Sequence, residues 1–395
     1  MKTVLAVHNY YQHRGGEDAV FERETELLER HGHKVVRHIV HNDVIGDRKS
    51  FLVALQATWN RQAYADLRKV IRSLHPDVVH IHNFFPLISP AVYFAAHAEG
   101  ASVIQTLHNY RLLCPNGLLF RSEQVCESCL TRLVKWPSVH YACYRGSAFA
   151  SGAVALMDAV HLGLRTWHRR TDALIALSEF SKRKFIEGGL PEHLLFVKPN
   201  FVDLADPECG VATPYKREGA LYVGRLSGEK GVRFLVKAWD NVRAPLRVIG
   251  TGPLASELRA RAVAHVSFLQ QVPAEDVYKE MRTALFLVFP SLCYENMSLV
   301  LVEAFAMGLP VIASNIGGIS EIVENGRSGI LFAPGNRRDF QDAVNWAFAH
   351  PDEMIHMGYE ARRVYETRFS AELNYRQLVT IYDTALRNRA QSNFM

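Results

Sequence analysis

The chain has 395 residues, of which 48% are hydrophobic and 22% charged, and its net charge is +5 at pH 7. This composition excludes a disordered or low-complexity chain, and the length favours two domains over one. No uncharged apolar stretch reaches the roughly 18 residues that span a membrane, and the first apolar run is too short for a signal peptide. We therefore expect a cytoplasmic protein.

The positive charge is concentrated in the first half of the chain. Residues 1–200 contain 24 Lys and Arg against 18 Asp and Glu, whereas residues 201–395 contain 21 against 22. A basic first half favours peripheral contact with anionic lipid on the inner face of the membrane, or an anionic acceptor. An excess of this size also lies within normal variation. We expect no nucleic-acid partner.

Strand and helix patterns alternate along the chain. In the first 110 residues, strands are predicted at KTVLAV, HKVVRHIV, DVVHIHN and SVIQTLHN, with helices at EDAVFERETELLERHG and FLVALQATWNRQAYADLRKVIRSL. A second series follows Pro199, with strands at ALYVGRL, PLRVIGTG, HVSFLQQ, ALFLVFP and LPVIASN. Such alternation predicts parallel sheets with helices on both faces.

Two such series predict two Rossmann-like, doubly wound α/β domains facing a cleft that holds the functional site. A turn-rich, charged segment near residues 203–218 separates them. We place the N-terminal domain at 1–203, with a cysteine-containing insertion near 114–143, and the C-terminal domain at 204–368. Residues 369–395 are predicted to form a helix that crosses back to the first domain.

Two carboxylates, Glu295 and Glu303, flank the start of a predicted helix. Glu295 follows the apolar strand ALFLVFPS, Ser298 is a plausible N-cap, and Glu303 would lie about 7.5 Å along the helix axis. The unpaired N–H groups between the two acids favour an anion, which suits the diphosphate of a nucleotide sugar. The structural alternative is one acid that complements the helix dipole and another paired inside a core.

Glycine-rich loops follow several predicted strands. VGRLSGEKGV carries Arg225 and Lys230, two cations that would neutralise a diphosphate and the charge developing on a leaving group. VIGTGPL carries Gly250 and Gly252, which leave room for a base or ribose, and Gly16 opens a helix in RGGEDAV. Ordinary solvated turns are the alternative, because RGGED does not fit the fingerprint G-x-G-x-x-G.

Taken in order, these motifs resemble the family 4 retaining glycosyltransferases. GGED, PNFVD, VGRLSGEKGV, VIGTGPL, ENMSLVLVE, GLPVIAS, GGISEIV and SGILF cover nearly the whole chain. The resemblance implies the GT-B fold, with an acceptor-side first domain and a nucleotide-sugar-binding second domain. It implies sugar transfer from a nucleoside-diphosphate sugar to a glycan or lipid-linked acceptor with retention and no catalytic metal, as in bacterial capsule or lipopolysaccharide synthesis.

The resemblance also assigns roles to charged residues. Arg225 and Lys230 are similar to the family's diphosphate pair, and Glu303 to the carboxylate that holds the ribose hydroxyls. Glu295 is similar to the donor-side acid. Because the family has no agreed protein nucleophile and no second carboxylate is assigned across the anomeric centre, Glu295 is expected to act by position and charge.

Further roles fall on loop residues. Asn296, Met297 and Ser298 match the loop whose backbone amides contact sugar hydroxyls and phosphate, and Gly16 matches the glycine that lets acceptor and donor phosphate approach. His108 resembles a histidine near the transferred sugar, with a purely structural histidine as the alternative. Many relatives have Gly and an aromatic residue at 296 and 297, so the base and the donor sugar stay open.

Four cysteines fall within 30 residues, and the central pair is C-x-x-C: Cys114, Cys126, Cys129 and Cys143. Four thiolates can hold a structural zinc or an iron–sulfur cluster. The wide spacing before the fourth cysteine keeps reduced, unliganded thiols as an alternative, and disulfides fit a cytoplasmic chain poorly. Cys209 and Cys293 are expected to be unrelated thiols.

The stretch SGAVALMDAVHLGLRTWHRR, at 151–170, predicts a helix with Trp167 and a basic end. It would either dip into a membrane surface to reach a lipid-linked acceptor or pack as an ordinary core helix. Two other functions stay open. One is a nucleotide-sugar epimerase of the same architecture, and the other is a non-catalytic scaffold that binds a nucleotide sugar or a metal.

Overall fold

The computed structural model describes residues 1–12, 15–45, 50–203, 217–269 and 272–392. The chain forms two compact units. Unit 1 comprises Met1–Leu119, Cys126–Asn200 and Asn374–Met395, and unit 2 comprises Phe120–Val125 and Phe201–Leu373. Most of the predicted interdomain segment at 203–218 lies outside the described residues, as does Cys209.

Strands and helices alternate throughout both units. The elements up to residue 197 are β1 (Thr3–Tyr10), α1 (Gly16–Arg30), β2 (Lys34–His41), α2 (Ser50–Thr58), α3 (Arg61–Leu74), β3 (Val78–Ile81), α4 (Ala91–Ala98), β4 (Ser102–Thr106), β5 (Phe120–Arg121), β6 (Gln124–Val125), α5 (Trp136–His140), α6 (Ala148–Gly163), α7 (Thr166–Arg169), β7 (Ala173–Ala176), α8 (Glu179–Glu187) and β8 (Leu195–Val197). Those that follow are β9 (Ala220–Val223), α9 (Val232–Trp239), β10 (Leu246–Ile249), α10 (Ala255–Arg261), β11 (Val266–Leu269), α11 (Ala274–Thr283), β12 (Phe286–Phe289), α12 (Leu299–Ala306), β13 (Val311–Ser314), α13 (Ile319–Ile322), β14 (Gly329–Phe332), α14 (Arg337–Ala349), α15 (Pro351–Arg368) and α16 (Ala371–Ser392).

Each unit is built on a six-stranded parallel sheet, which confirms the predicted α/β class. The strand order is β2-β1-β3-β4-β7-β8 in unit 1 and β11-β10-β9-β12-β13-β14 in unit 2. The order reverses between β1 and β3 in the first sheet and between β9 and β12 in the second. In such sheets ligands bind beyond the carboxyl ends of the strands at this switch point.

The sheets are buried on both faces, as crossover helices require. In β9, Ala220 and Tyr222 belong to one core cluster and Leu221 and Val223 to the other, because alternate side chains of a strand point to opposite faces. In unit 1, residues of α16 such as Leu378 and Tyr382 pack into the core around β1, β3 and β4. The last helix is therefore part of unit 1.

Two predicted helices are divided in the structure. The single helix expected over FLVALQATWNRQAYADLRKVIRSL is α2 and α3, because the Asn60 side chain caps α3 by accepting hydrogen bonds from the amides of Gln62 and Ala63. The helix expected at 151–170 is α6 and α7. Trp167 is fully buried, which agrees with the core-helix alternative for this residue. None of the described helices is both long and apolar enough to cross a membrane.

Candidate functional site

The loops after β9 and β12 flank the switch point of unit 2 and carry a lysine–carboxylate pair. Lys230 Nζ lies 2.7 Å from Glu295 Oε1, and Ser291 Oγ donates to the same oxygen over 2.7 Å. Glu295 is buried, and the Lys230 side chain is 26% exposed. Burial disfavours the ammonium charge, but the Glu295 carboxylate outweighs it and raises the pKa of Lys230 above its usual range. Lys230 therefore stays protonated and forms a salt bridge with Glu295.

Cys293, which we expected to be an unrelated thiol, lies in this site. Its Sγ atom is 3.8 Å from Glu295 Oε1 and 3.6 Å from Ser291 Oγ. Burial, and next the Glu295 carboxylate, raise the pKa of Cys293 to about 12. The thiol is thus uncharged near neutral pH and serves as packing beside the carboxylate.

Glycines bring the loops of unit 2 into backbone contact. A Cβ atom at Gly250 would overlap the carbonyl oxygen of Gly224, and one at Gly252 would overlap that of Leu226. The absence of a side chain at these glycines lets the loop that carries Arg225 pack against them, and their predicted contact with a base or ribose stays a prediction. Arg225 itself is exposed, and its side chain has no hydrogen bond or ion pair in the described parts of the chain.

Helix α12 begins where the sequence predicted. Ser298 is its N-cap, without a side-chain capping bond, and Glu303 is half-buried on the helix, where it accepts a hydrogen bond from Tyr278 Oη over 3.4 Å. Asn296 is buried, and Met297 packs against the core. The N-terminal amides of α12 thus follow directly after Glu295, as an anion site requires.

In unit 1, polar residues collect beyond β1, β3 and β4. Gly16 is the first residue of α1, and the Asn109 side chain donates to Glu17 Oε2 over 3.1 Å, which joins the loop after β4 to the first turn of α1. His108 lies on the same loop and is half-buried, with Nε2 3.0 Å from His82 Nδ1. Burial, and next the neighbouring His82, lower the pKa of His108 well below its usual range, so the ring is uncharged at neutral pH.

The four clustered cysteines stand apart from these sites. Cys114 and Cys129 are buried and Cys126 and Cys143 half-buried, and no disulfide joins any two of the four. Burial raises the pKa of Cys114 to about 11, and the neighbouring thiols of Cys129 and Cys143 add to this. The four thiols are close enough to influence one another's pKa, and the predicted metal stays a prediction.

Among the described residues, one group does bring three metal-type ligand atoms within 4.8 Å of one another: Glu24, His80 and His82. Lys198 Nζ already lies 2.6 Å from Glu24 Oε2, and Tyr382 Oη lies 2.8 Å from His80 Nδ1. The group is therefore a hydrogen-bonded network whose carboxylate is neutralised by an ammonium. The alternation of histidines in VVHIHN put His80 on β3 and His82 just after the strand, on the same side, a signal that we did not use.

The chain is similar in sequence to known proteins. Residues 2–206 match the family described as Glycosyltransferase Family 4, and residues 217–350 match Glycosyl transferases group 1. The D-rhamnosyltransferase WbpZ of Pseudomonas aeruginosa is 33% identical over 181 residues, which are 44% of this chain and 48% of that protein. The D-inositol 3-phosphate glycosyltransferase of Gordonia bronchialis is 31% identical over 298 residues, 65% of this chain and 63% of that protein. The chain thus spans about half to two thirds of these relatives.

Solved structures agree on the fold. HepE of Anabaena in complex with UDP superposes with a TM-score of 0.69 at 17% identity, over 97% of this chain and 100% of that one. Sucrose-phosphate synthase of Thermosynechococcus elongatus gives a TM-score of 0.71 at 16% identity, over 97% and 98%. From the family matches and the two doubly wound units, the chain belongs to the family 4 glycosyltransferases and has the GT-B fold.

Proposed function

We propose that the protein transfers a sugar, with retention of configuration, from a nucleoside-diphosphate sugar to a glycan or lipid-linked acceptor of a bacterial surface polysaccharide. The observation that carries the proposal is the Lys230–Glu295 pair at the switch point of unit 2, next to the start of α12. Family membership supports the activity. The UDP in the HepE complex and the sugar transfer in the names of the relatives support a nucleotide-sugar donor.

The chemistry would consist of positioning and charge stabilisation. Lys230, Arg225 and the amides at the start of α12 would bind the diphosphate and stabilise the charge on the departing nucleoside diphosphate. Glu295, fixed by Ser291 and Lys230, would hold the lysine in place and face the sugar. Glu303 would accept hydrogen bonds from the ribose hydroxyls. No step requires a catalytic metal ion.

Unit 1 would supply residues that bind the sugar and the acceptor. His108 is uncharged and half-buried, so it is suited to hydrogen bonding with a sugar hydroxyl. Gly16, at the start of α1, would let the acceptor and a donor phosphate approach the backbone.

An exposed apolar face on α6 supports our proposal that the acceptor is lipid-linked and that the protein contacts the cytoplasmic side of the membrane. Helix α6 buries one face and exposes Phe149, Leu156 and Val160 on another, and it packs against α2. Exposed Arg165 and Arg169 follow α6 in the chain. An apolar face next to cations is the composition that binds the surface of anionic lipid.

The test is a transfer assay with a panel of nucleoside-diphosphate sugars and lipid-linked or glycan acceptors. We expect release of nucleoside diphosphate together with a lengthened acceptor. Lys230→Ala should lower kcat/KM by roughly 10- to 100-fold, because hydrogen bonds to charged groups contribute about 1.5–3 kcal/mol. Lys279→Ala is the matched control, since Lys279 also lies 2.7 Å from a carboxylate but is exposed, on α11.

Two results would contradict the proposal. Interconversion of nucleotide sugars without transfer to any acceptor would instead indicate an epimerase of the same architecture. Equal activity of the wild type, Lys230→Ala and Lys279→Ala would remove Lys230 from the site. A thermal-shift panel of nucleoside diphosphates would identify the base, since a ligand at 100 times its Kd adds about 2.7 kcal/mol of stability.

A further inference from the structure

A chain of buried polar groups leads from the centre of unit 1 to His108. Lys198 Nζ lies 2.6 Å from Glu24 Oε2, Glu24 Oε1 lies 3.3 Å from His82 Nε2, and His82 Nδ1 lies 3.0 Å from His108 Nε2. Lys198, Glu24 and His82 are all buried. Apolar side chains would fill this space with a smaller desolvation penalty. A series of so many buried polar groups therefore calls for an explanation.

Each group in this series of buried side chains has a fixed charge. Burial disfavours the Glu24 carboxylate charge, but Lys198 and the two histidines outweigh it and lower the pKa of Glu24 well below its usual range. Burial lowers the pKa of His82, so its ring is neutral at neutral pH. The series is therefore an ammonium, a carboxylate and two neutral imidazoles.

These charges determine where the protons lie. A carboxylate only accepts hydrogen bonds, so the His82 nitrogen facing Glu24, Nε2, carries the proton. A neutral imidazole has one N–H, which leaves His82 Nδ1 as an acceptor. The nitrogen that faces it, His108 Nε2, must then be the donor. His108 Nδ1 keeps its lone pair, and it has no hydrogen-bond partner in the described portion of the chain.

We propose that Glu24 and His82 are positioning residues that hold His108 in the Nε2–H tautomer, so that Nδ1 accepts a hydrogen bond from a hydroxyl of the transferred sugar. The contact with the sugar rests on the proposed function, whereas the tautomer does not. Lys198 keeps Glu24 ionised, and its buried ammonium is also held by Asn374 Oδ1 at 3.2 Å. The network thereby selects one of the two neutral tautomers of His108 and makes its Nδ1 a hydrogen-bond acceptor.

The experiment is nitrogen NMR of the full chain labelled with ¹⁵N-histidine, which distinguishes protonated from unprotonated ring nitrogens. His108→Ala identifies the resonances of His108. The double variant Glu24→Met/Lys198→Met removes the carboxylate, its hydrogen-bond acceptors and the ammonium together, so that no unpaired charge is left buried. We expect Nε2–H at His108 in the wild type and a mixture of tautomers in the double variant.

The control is His80→Gln. His80 Nδ1 lies 3.4 Å from the same Glu24 oxygen, and its hydrogen bonds go to Thr106 and Tyr382 instead of His108. It should leave the His108 tautomer unchanged and kcat/KM within about twofold of wild type. The double variant should lose about tenfold in kcat/KM, the size of one hydrogen bond.

Each outcome decides a part of the proposal. A wild-type His108 protonated on Nδ1, or a double variant with the wild-type tautomer, would overturn the positioning role. Equal losses of kcat/KM in the double variant and His80→Gln would show that the network is only structural. The expected tautomers without transfer from any donor would overturn the sugar contact and the proposed function, and the positioning of His108 would stand.

Discussion

The contact between Lys230 and Glu295 joins two side chains that lie 65 positions apart in the sequence. Lys230 and Glu295 were predicted as separate ligands for a diphosphate and a sugar, and the structure pairs them. Their contact depends on β9 and β12 being neighbours, a feature that no local pattern contains. Glu24 and His82 were missed for the same reason, because their significance arises only when α1 and β3 pack together.

The ionisation of Asp158 on α6 opposes folding. It is fully buried, and neither carboxylate oxygen has a hydrogen-bond partner among the residues that the structure describes. Burial raises its pKa from 3.8 to about 7, although Lys135 and Arg111 act in the opposite direction. Because the folded pKa lies above the unfolded one, the folded state binds the proton more tightly, and stability falls as the pH rises from about 4 to about 7.

Asp158→Asn should therefore stabilise the protein increasingly as the pH rises. Between pH 5 and pH 8 the advantage of the variant in free energy of unfolding should grow by about 3 kcal/mol, at 1.36 kcal/mol per pH unit below the folded pKa. Urea unfolding of both proteins at the two pH values measures this, and pH effects of all other groups cancel in the difference. A constant advantage at both pH values would show that Asp158 does not titrate in this range.

At the scale of elements, hydrophobic periodicity predicted which segments are helices and strands but not where a continuous pattern is interrupted. The pattern continues from α2 into α3, and only the capping bonds of Asn60 show the break. Likewise α6 and α7 are separated by Arg165 in the left-handed conformation, at a φ of 52°. Capping and strained turns depend on single side chains, so periodicity over a window does not detect them.

The exposed apolar face of α6 leads to a prediction about lipid binding. Phe149 and Leu156 are each 53% exposed, and burying two such side chains in a bilayer surface contributes several kcal/mol. Phe149→Ser/Leu156→Ser should therefore lower partitioning onto anionic phospholipid vesicles by at least about tenfold, as measured by sedimentation. The wild type should bind neutral vesicles more weakly than anionic ones.

The matched control lies in unit 2, where Ile355 and Tyr359 are also exposed apolar residues on a helix, α15. Ile355→Ser/Tyr359→Ser should leave vesicle binding unchanged. If the two double variants lost binding equally, the effect would be general surface hydrophobicity, and α6 would have no specific role. Circular dichroism would establish that all variants are folded.

At the scale of the whole molecule, alternating strands and helices were sufficient to predict two parallel doubly wound units. Strand order was not predictable, because it is set by which crossovers pack best. Which unit each part of the insertion near 114–143 joins was not predictable either. The hairpin Phe120–Val125 belongs to unit 2, where Glu123 pairs with Arg233 at 3.1 Å, while the cysteines on either side belong to unit 1. Local sequence patterns do not predict a contact between residues as far apart in the sequence as Glu123 and Arg233.

The four cysteines around this hairpin carry the last prediction: purified protein should contain about one zinc per chain. The C-x-x-C pair and two further neighbouring thiols supply the ligand set of a structural zinc. Burial raises the pKa of Cys114 to about 11, and bound zinc would deprotonate such a thiol. Elemental analysis measures the zinc, and chelation should lower the Tm.

Cys129→Ser should lose the metal, whereas Cys293→Ser, which removes a buried thiol of unit 2, should retain it. Iron in place of zinc would indicate an iron–sulfur cluster. Four titratable thiols with neither metal would contradict the prediction and assign the cysteines to packing.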